Sequence, residues 1–351
     1  MNYEFPKPPR SLAGKVAIVT GAGAAGDGIG NGRACAILLA EDGCAVVCVD
    51  RDLKLAQRTV EMIEAERETT TTTTSTTPHI QKQGQSQSQD DPDTDRTTTP
   101  LAIAIAADVS IEADCKRIVD TTLHHFGRLD ILINCVGIAG APGTAVDVDM
   151  TAWAASMQVN VASMVMMTKY AVPAMIYKRP NNSNSNTDNN SETETDTNPD
   201  TSIYTEIDPN WMYRGSIVNM SSVAGLKGGT PHLLYPTSKG AIVNMTRAMA
   251  AHHAPQGVRV NCVCPGMVYT PMMYAGGKQP KKKMSEAARQ ARKNRSLLKT
   301  EGNGWDVGTA VRFLAGPQAR WLTGVILPVD AGATAAVGTD VPDLKAASVN
   351  G

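Results

Sequence analysis

Aromatic side chains and net charge are both scarce in this sequence. Phe, Trp and Tyr make up 4% of 351 residues, and 33 Lys and Arg nearly balance 34 Asp and Glu. A formal charge of −1 provides no global basic field for nucleic acid and no acidic tail for a basic partner, so recognition must rest on local sites. The N-terminal residues carry no apolar core of signal-peptide length, and no run of about 18 consecutive apolar residues occurs. The expectation is a cytoplasmic protein with neither nucleic acid nor membrane among its partners. Cysteine is present but unpaired in pattern: seven residues, an odd number, without a C-x-x-C pair. Packed thiols in a reducing compartment account for them. Cys262 and Cys264 fall two apart on an expected strand and share a face, but no second ligand pair accompanies them and no metal site is expected. His124-His125 and His252-His253 fall at expected helix C-termini, where the protonated ring suits the helix dipole.

The hydrophobic content of 42% is enough for a sizeable core. Two polar tracts stand apart from it, one over 68–100 and one beginning "NNSNSNTDNNSETETD" and interrupting the pattern over 181–212. Neither can bury enough apolar surface to offset its ordering entropy, so both read as disordered insertions. Without them, 12–335 reads as one domain, with 336–351 as a tail. Strands are expected at Val16 to Thr20, at "CAVVCVD" ending at Asp50, at "LAIAIAADV" ending near Asp108, and at "LDILINCVG", "GSIVNMSS", "VRVNCVCPG" and "GVILPVDAG". Helical periods lie between them, including a long one from about Ala152 to Tyr177 and one from Pro236 to His252. Nearly continuous apolar strands alternating with helices specify an α/β fold, a doubly wound parallel sheet of the Rossmann type. Ligands then bind at the C-terminal strand ends, and both insertions, each following a helix, leave the sheet at the opposite edge.

The loop "TGAGAAGDGIGNGRACAILLA" holds two glycine spacings. Gly21-x-Gly23-x-x-Gly26 would start a helix near Gly26, forcing Asp27, Gly28, Gly30 and Gly32 into it at several tenths to about 1 kcal/mol each. The alternative uses Gly21 for the turn and Gly28-Ile29-Gly30 at the helix entrance, so that amides of the first turn meet phosphates. Asp50 then follows Gly30 by twenty residues, the distance expected of a carboxylate accepting from adenosine ribose hydroxyls. Asp50 favours NAD, whereas Arg51 beside it suits a 2'-phosphate and NADP; the balance falls to NAD.

Several segments in order ("TG" and "GIG", "DV" at Asp108, "NCVG", "VN" at Asn160, "IVNMSS", "YPTSK", "VNCVCPG", "VYTPM" and "LTGVILPVDAG") resemble the short-chain dehydrogenase/reductase family over most of the chain outside the insertions. The resemblance implies an NAD(P)-dependent oxidoreductase that moves a hydride between nicotinamide and a carbonyl or alcohol carbon of a small substrate. Tyr235 and Lys239, four apart on one helix face, would carry the chemistry, with the lysine cation lowering the tyrosine pKa from about 10. By the same resemblance Tyr235 is the general acid or base, Lys239 also holds the nicotinamide ribose, and Ser222 bonds the substrate oxygen. Asn160 supports a water chain to the lysine. Asp108 and Val109 match positions near adenine, Asn134 one near the adenosine ribose. Pro265, Gly266, Val268 and Thr270 match the nicotinamide side. A homodimer or homotetramer is implied.

The segment from Met272 to Thr300, which in the family folds over the substrate, is locally basic. It reads as a solvated lid surface or as a site for an acidic substrate group. Met272, Met273 and Tyr274 suit an adaptable apolar pocket. Two other classes stay open: an isomerase or epimerase that retains its cofactor, and a non-catalytic nucleotide sensor, the latter disfavoured because Ser222, Tyr235 and Lys239 are all present.

Overall fold

The computed structural model describes residues 7–74, 101–176, 213–274 and 284–336. The stretches 75–100, 177–212 and 275–283 and the tail from 337 lie outside the described residues, as does what the sequence suggests for them.

Seven strands form one parallel sheet: β1 (Val16–Thr20), β2 (Ala45–Asp50), β3 (Ala102–Ala106), β4 (Ile131–Asn134), β5 (Gly215–Met220), β6 (Val258–Pro265) and β7 (Ile326–Val329). Their order is β3-β2-β1-β4-β5-β6-β7. The direction of winding reverses between β1 and β4, which opens a crevice beyond the ends of those two strands. Thr20 pairs with Asn134 and Asn134 with Asn219, so three polar residues align at that edge.

The helices are α1 (Asn31–Glu41), α2 (Leu53–Thr74), α3 (Glu112–Phe126), α4 (Met150–Met157), α5 (Ser163–Ile176), α6 (Leu234–His253), α7 (Pro271–Tyr274), α8 (Glu286–Lys293) and α9 (Gly304–Ala315). On one sheet face Ala36, Leu39, Val311 and Leu314 cover β1 and β4 residues; on the other Ile118, Met167, Ala171 and Met249 do so. Burying both faces is what the continuous apolar strands require.

Three boundaries differ from the sequence expectation. Helix α2 runs through Thr74, into the threonine tract, because extending an existing helix costs far less than starting one. Strand β3 stops at Ala106, since Asp108 turns out of the sheet to accept from the amide (2.9 Å) and hydroxyl (2.6 Å) of Ser110. The long helix expected at 152–177 is interrupted by a π turn, Gln158–Ala162, between α4 and α5. By length and composition the combined stretch Met150–Ile176 is apolar enough to cross a membrane. Here it is a core helix, with Met164, Met167, Ala171, Val172 and Met175 buried.

Candidate active site

Helix α1 begins at Asn31 with Gly30 as its N-cap, so Gly28-Ile29-Gly30 stand at the helix entrance and Gly26 lies outside the helix. Gly21 takes a φ of 67°, a conformation other residues avoid. Gly32 makes the close approach: a Cβ there would lie 2.0 Å from the Gly21 carbonyl oxygen. The first turn of α1 is thereby pressed against the end of β1, and its free amides open on the crevice. Asp50 stands at the end of β2, its carboxylate accepting from the amides of Gly23 (3.1 Å) and Asp52 (3.1 Å). Ile29 and Gly30 present their carbonyls to the N-terminus of α9, where a Cβ on Gly304 would come within 2.8 Å of Ile29 O.

The side of the crevice that holds Ser222, Tyr235 and Lys239 is built by β5 and α6. Ser222 follows β5 and N-caps the short 3-10 turn Val223–Gly225, accepting from Ala224 N at 3.1 Å. Gly225 allows that turn to sit on α6, since a Cβ would fall 2.5 Å from Lys239 O. Ser221, facing the opposite way as strand alternation demands, donates to the same carbonyl at 2.7 Å. These contacts set Ser222 beside the Tyr235 phenol, whose ionisation its hydroxyl favours. Lys239, one helical turn on, is buried, donates to Met220 O at 3.0 Å and lies 5.8 Å from the centre of the Tyr235 ring.

Burial pushes the Tyr235 phenol up from its ordinary pKa, and the Ser222 hydrogen bond only partly opposes it. This corrects the expectation of a lysine-lowered tyrosine: Nζ is turned to Met220 O, and desolvation of the phenolate dominates. The free protein therefore carries Tyr235 as a neutral phenol. Burial lowers Lys239 to about 8.

Asn160 is fully buried within the π turn. Its Oδ1 accepts from Ile138 N at 2.8 Å, while Nδ2 donates to Ile138 O at 3.0 Å and Ser238 Oγ at 3.0 Å. Ser238 in turn donates to Tyr235 O at 2.9 Å. Asn160 thus ties the segment after β4 to α6. The extra residue of a π turn points its amide inward.

Two expected site residues are placed elsewhere by their side chains. The Asn134 amide is buried between strands, donating to Asn219 Oδ1 at 2.9 Å. Val109 is buried in the core beneath α3, with its carbonyl near Cys115 Sγ at 3.3 Å. On the other side, Pro265 ends β6, Val268 N donates to Gly266 O at 3.0 Å, and buried Thr270 leads into α7. Cys262 and Cys264 do share a face, their sulfurs 3.9 Å apart. His232 accepts from Gly143 N at 3.1 Å.

The segment after α7 is pinned by its cations. The Arg289 guanidinium stacks on Tyr269 at 4.2 Å and donates to Glu301 at 3.0 Å, and Arg292 donates to Val268 O at 3.1 Å. These two positive charges are spent on structure. Sequence reasoning passed over Gly32, Gly225, Ser238 and Arg33. For Arg33 the signal was available: it is a charge directly preceding seven apolar residues, 34–40, all of them buried.

Comparison with known proteins shows the family. The family model described as short chain dehydrogenase matches residues 92–186, and the one described as Enoyl-(Acyl carrier protein) reductase matches 201–334. The 2-(S)-hydroxypropyl-CoM dehydrogenase 3 of Xanthobacter autotrophicus is 31% identical, over 92% of this chain and 98% of that protein. The (+)-borneol dehydrogenase 2 of Salvia officinalis is 31% identical over 65% of this chain and 70% of its own length. A crystal structure described as a short-chain dehydrogenase/reductase from Burkholderia xenovorans superposes with a TM-score of 0.67 at 29% identity, over 93% of this chain and 98% of that one. With a strand order of 3-2-1-4-5-6-7, a glycine loop at the switch point and relatives of this kind, the chain belongs to the short-chain dehydrogenase/reductase family and is an oxidoreductase.

Proposed function

We propose that the protein is an NAD(P)-dependent alcohol dehydrogenase or ketone reductase acting on a small, largely apolar substrate, with Tyr235 as the proton donor in reduction and acceptor in oxidation. The observation that carries this reading is the convergence of Ser222 on the Tyr235 phenol with Lys239 one turn away. A phenol held neutral by burial is a proton reservoir beside the position where a carbonyl oxygen would accept from Ser222. Lys239, fixed by Met220 O, supplies positive charge to the phenolate left behind.

The crevice suits a dinucleotide: Gly32 and Gly21 leave no side chain between the helix entrance and the strand end, and Asn31 Oδ1 is a buried acceptor without a protein partner. When bound, the nicotinamide ring supplies or takes up the hydride. Gly21, Gly28, Ile29 and Gly30 would hold the pyrophosphate, Asp50 the adenosine ribose, Asp108 with the backbone of Val109 and Asn134 the adenine side. Pro265, Gly266, Val268 and Thr270 would line the nicotinamide side, with Tyr235 and Lys239 at its ribose. The Asp50 carboxylate favours NAD over NADP by repelling a 2'-phosphate. Met272, Met273 and Tyr274 supply an apolar wall. A cytoplasmic homodimer or homotetramer fits the exposed apolar residues Met150 and Val165 on the helix pair α4–α5.

The test is reduced-cofactor consumption with a panel of aldehydes, ketones and quinones, using NADH and NADPH in turn. Turnover preferring NADH is expected; tight cofactor binding without turnover of any carbonyl would move the assignment to the isomerase or the sensor.

A further inference from the structure

Arg33 is the third residue of α1 and is completely buried. Its guanidinium donates in every direction. Nε reaches Thr59 Oγ1 (3.0 Å), Nη1 reaches Gly26 O and Gly28 O (both 2.7 Å), and Nη2 reaches Ala24 O (3.0 Å) and Leu55 O (3.4 Å). Thr59 passes the network on to Ala22 O at 2.8 Å. One side chain thus gathers carbonyls along the whole lengthened glycine loop. The long loop needs such a donor, because buried carbonyls left unpaired are costly.

Every one of those acceptors is neutral. Burial lowers the Arg33 pKa, Arg58 adds to this, and Asp27 and Asp50 act the other way. Both acids have closer partners: Asp27 pairs with Arg58 at 2.6 Å, and Asp50 holds the Gly23 and Asp52 amides. Among the described residues, a second carbonyl-bound buried arginine shows the contrast. Arg259 donates to Leu314 O, Ala315 O and Gly316 O at the C-terminus of α9, where the helix dipole is negative. Arg33 lies at the positive end of α1, so cation and dipole add rather than cancel.

We propose that Arg33 is a positioning residue for the dinucleotide pyrophosphate: it fixes the extended loop by its carbonyls and leaves beneath it a positive charge whose counter-ion is the bound pyrophosphate. The proposal rests on the nucleotide reading above. Loop carbonyls drawn inward to the guanidinium leave the opposite side of the loop for an anion, and the buried charge is felt there with little screening by solvent.

Binding of NADH, ADP and adenosine to the full chain separates the alternatives, measured by calorimetry for wild type, Arg33→Met and Arg33→Lys. Arg33→Met should weaken NADH and ADP by about 30-fold or more, equivalent to loss of a charge-assisted contact, while adenosine changes less than about threefold. Arg33→Lys keeps the charge but cannot span the loop carbonyls, so it should weaken ADP by an intermediate factor and again spare adenosine. Should Arg33→Met fail to fold, Arg33→Lys decides. Equal losses for ADP and adenosine, or wild-type affinity for ADP in the variants, would overturn the proposal while leaving the nucleotide reading intact. A wild-type chain that binds neither NADH nor ADP overturns both.

Discussion

Replacing Lys239 by methionine should make the ligand-free protein more stable near neutral pH while abolishing turnover. Lys239 is buried and its pKa falls from 10.5 to about 8 because burial penalises the ammonium. Between those values the unfolded chain binds more protons than the folded one, so stability rises with pH through that window and the full penalty applies below it. The difference corresponds to about 3 kcal/mol. Methionine keeps most of the volume but forfeits the bond to Met220 O, worth about 1.5–3 kcal/mol with a charged donor. The net gain at pH 7 is therefore at most about 1.5 kcal/mol, or up to roughly 4 °C in Tm for a chain of this size. Thermal melts of both proteins without ligand, from pH 6 to above 10, check this. The advantage of the variant should shrink as pH rises through the window and reverse once the wild-type lysine is neutral. A variant less stable at pH 7, or a Tm difference indifferent to pH, would show that the buried ammonium is compensated by something the geometry does not contain.

Gly32→Ala would set a methyl group 2.0 Å from Gly21 O. The backbone on both sides must part, with a stability loss of about 1–3 kcal/mol and a weaker NADH complex, read by thermal shift and titration; wild-type affinity would mean that the close approach is dispensable. Asp50→Ser should raise the relative use of NADPH, read as the ratio of kcat/KM for the two cofactors, and an unchanged ratio would place the carboxylate out of reach of the ribose. Deleting 75–100 should leave kcat/KM within about twofold, because the flanking ends, Thr74 and Leu101, lie at the sheet edge opposite the crevice. A loss of cofactor binding in the deletion would refute that placement.

Much of the fold was legible because each strand is a short apolar run and each connecting helix is amphipathic or buried. Val16–Thr20 and the strand ending at Asp50 emerged with their expected C-terminal ends. The glycine loop was legible through helix energetics alone, since a helix starting at Gly26 would have carried too many poor formers. The π turn at Asn160 was not, because one inserted residue hardly disturbs an apolar period while it redirects a single side chain. The Tyr235 shift was missed for a different reason. Spacing told that Lys239 lies on the same helix face, but not that Nζ turns to Met220 O or that burial of the phenol outweighs its neighbours. Asn134 shows the same limit: its position at a strand end was evident, whereas its bond to Asn219 depends on the register between β4 and β5.

The central claim is that Tyr235 transfers the proton, and Tyr235→Phe tests it most directly. Turnover of the best carbonyl substrate and the dissociation constant for NADH are to be measured side by side in wild type and variant. Removing the phenol oxygen should lower kcat by about 10²–10⁴-fold, the usual worth of a positioned acid, with NADH affinity held within about threefold. Turnover in Tyr235→Phe at a rate near wild type would contradict the account and require another proton donor beside Ser222.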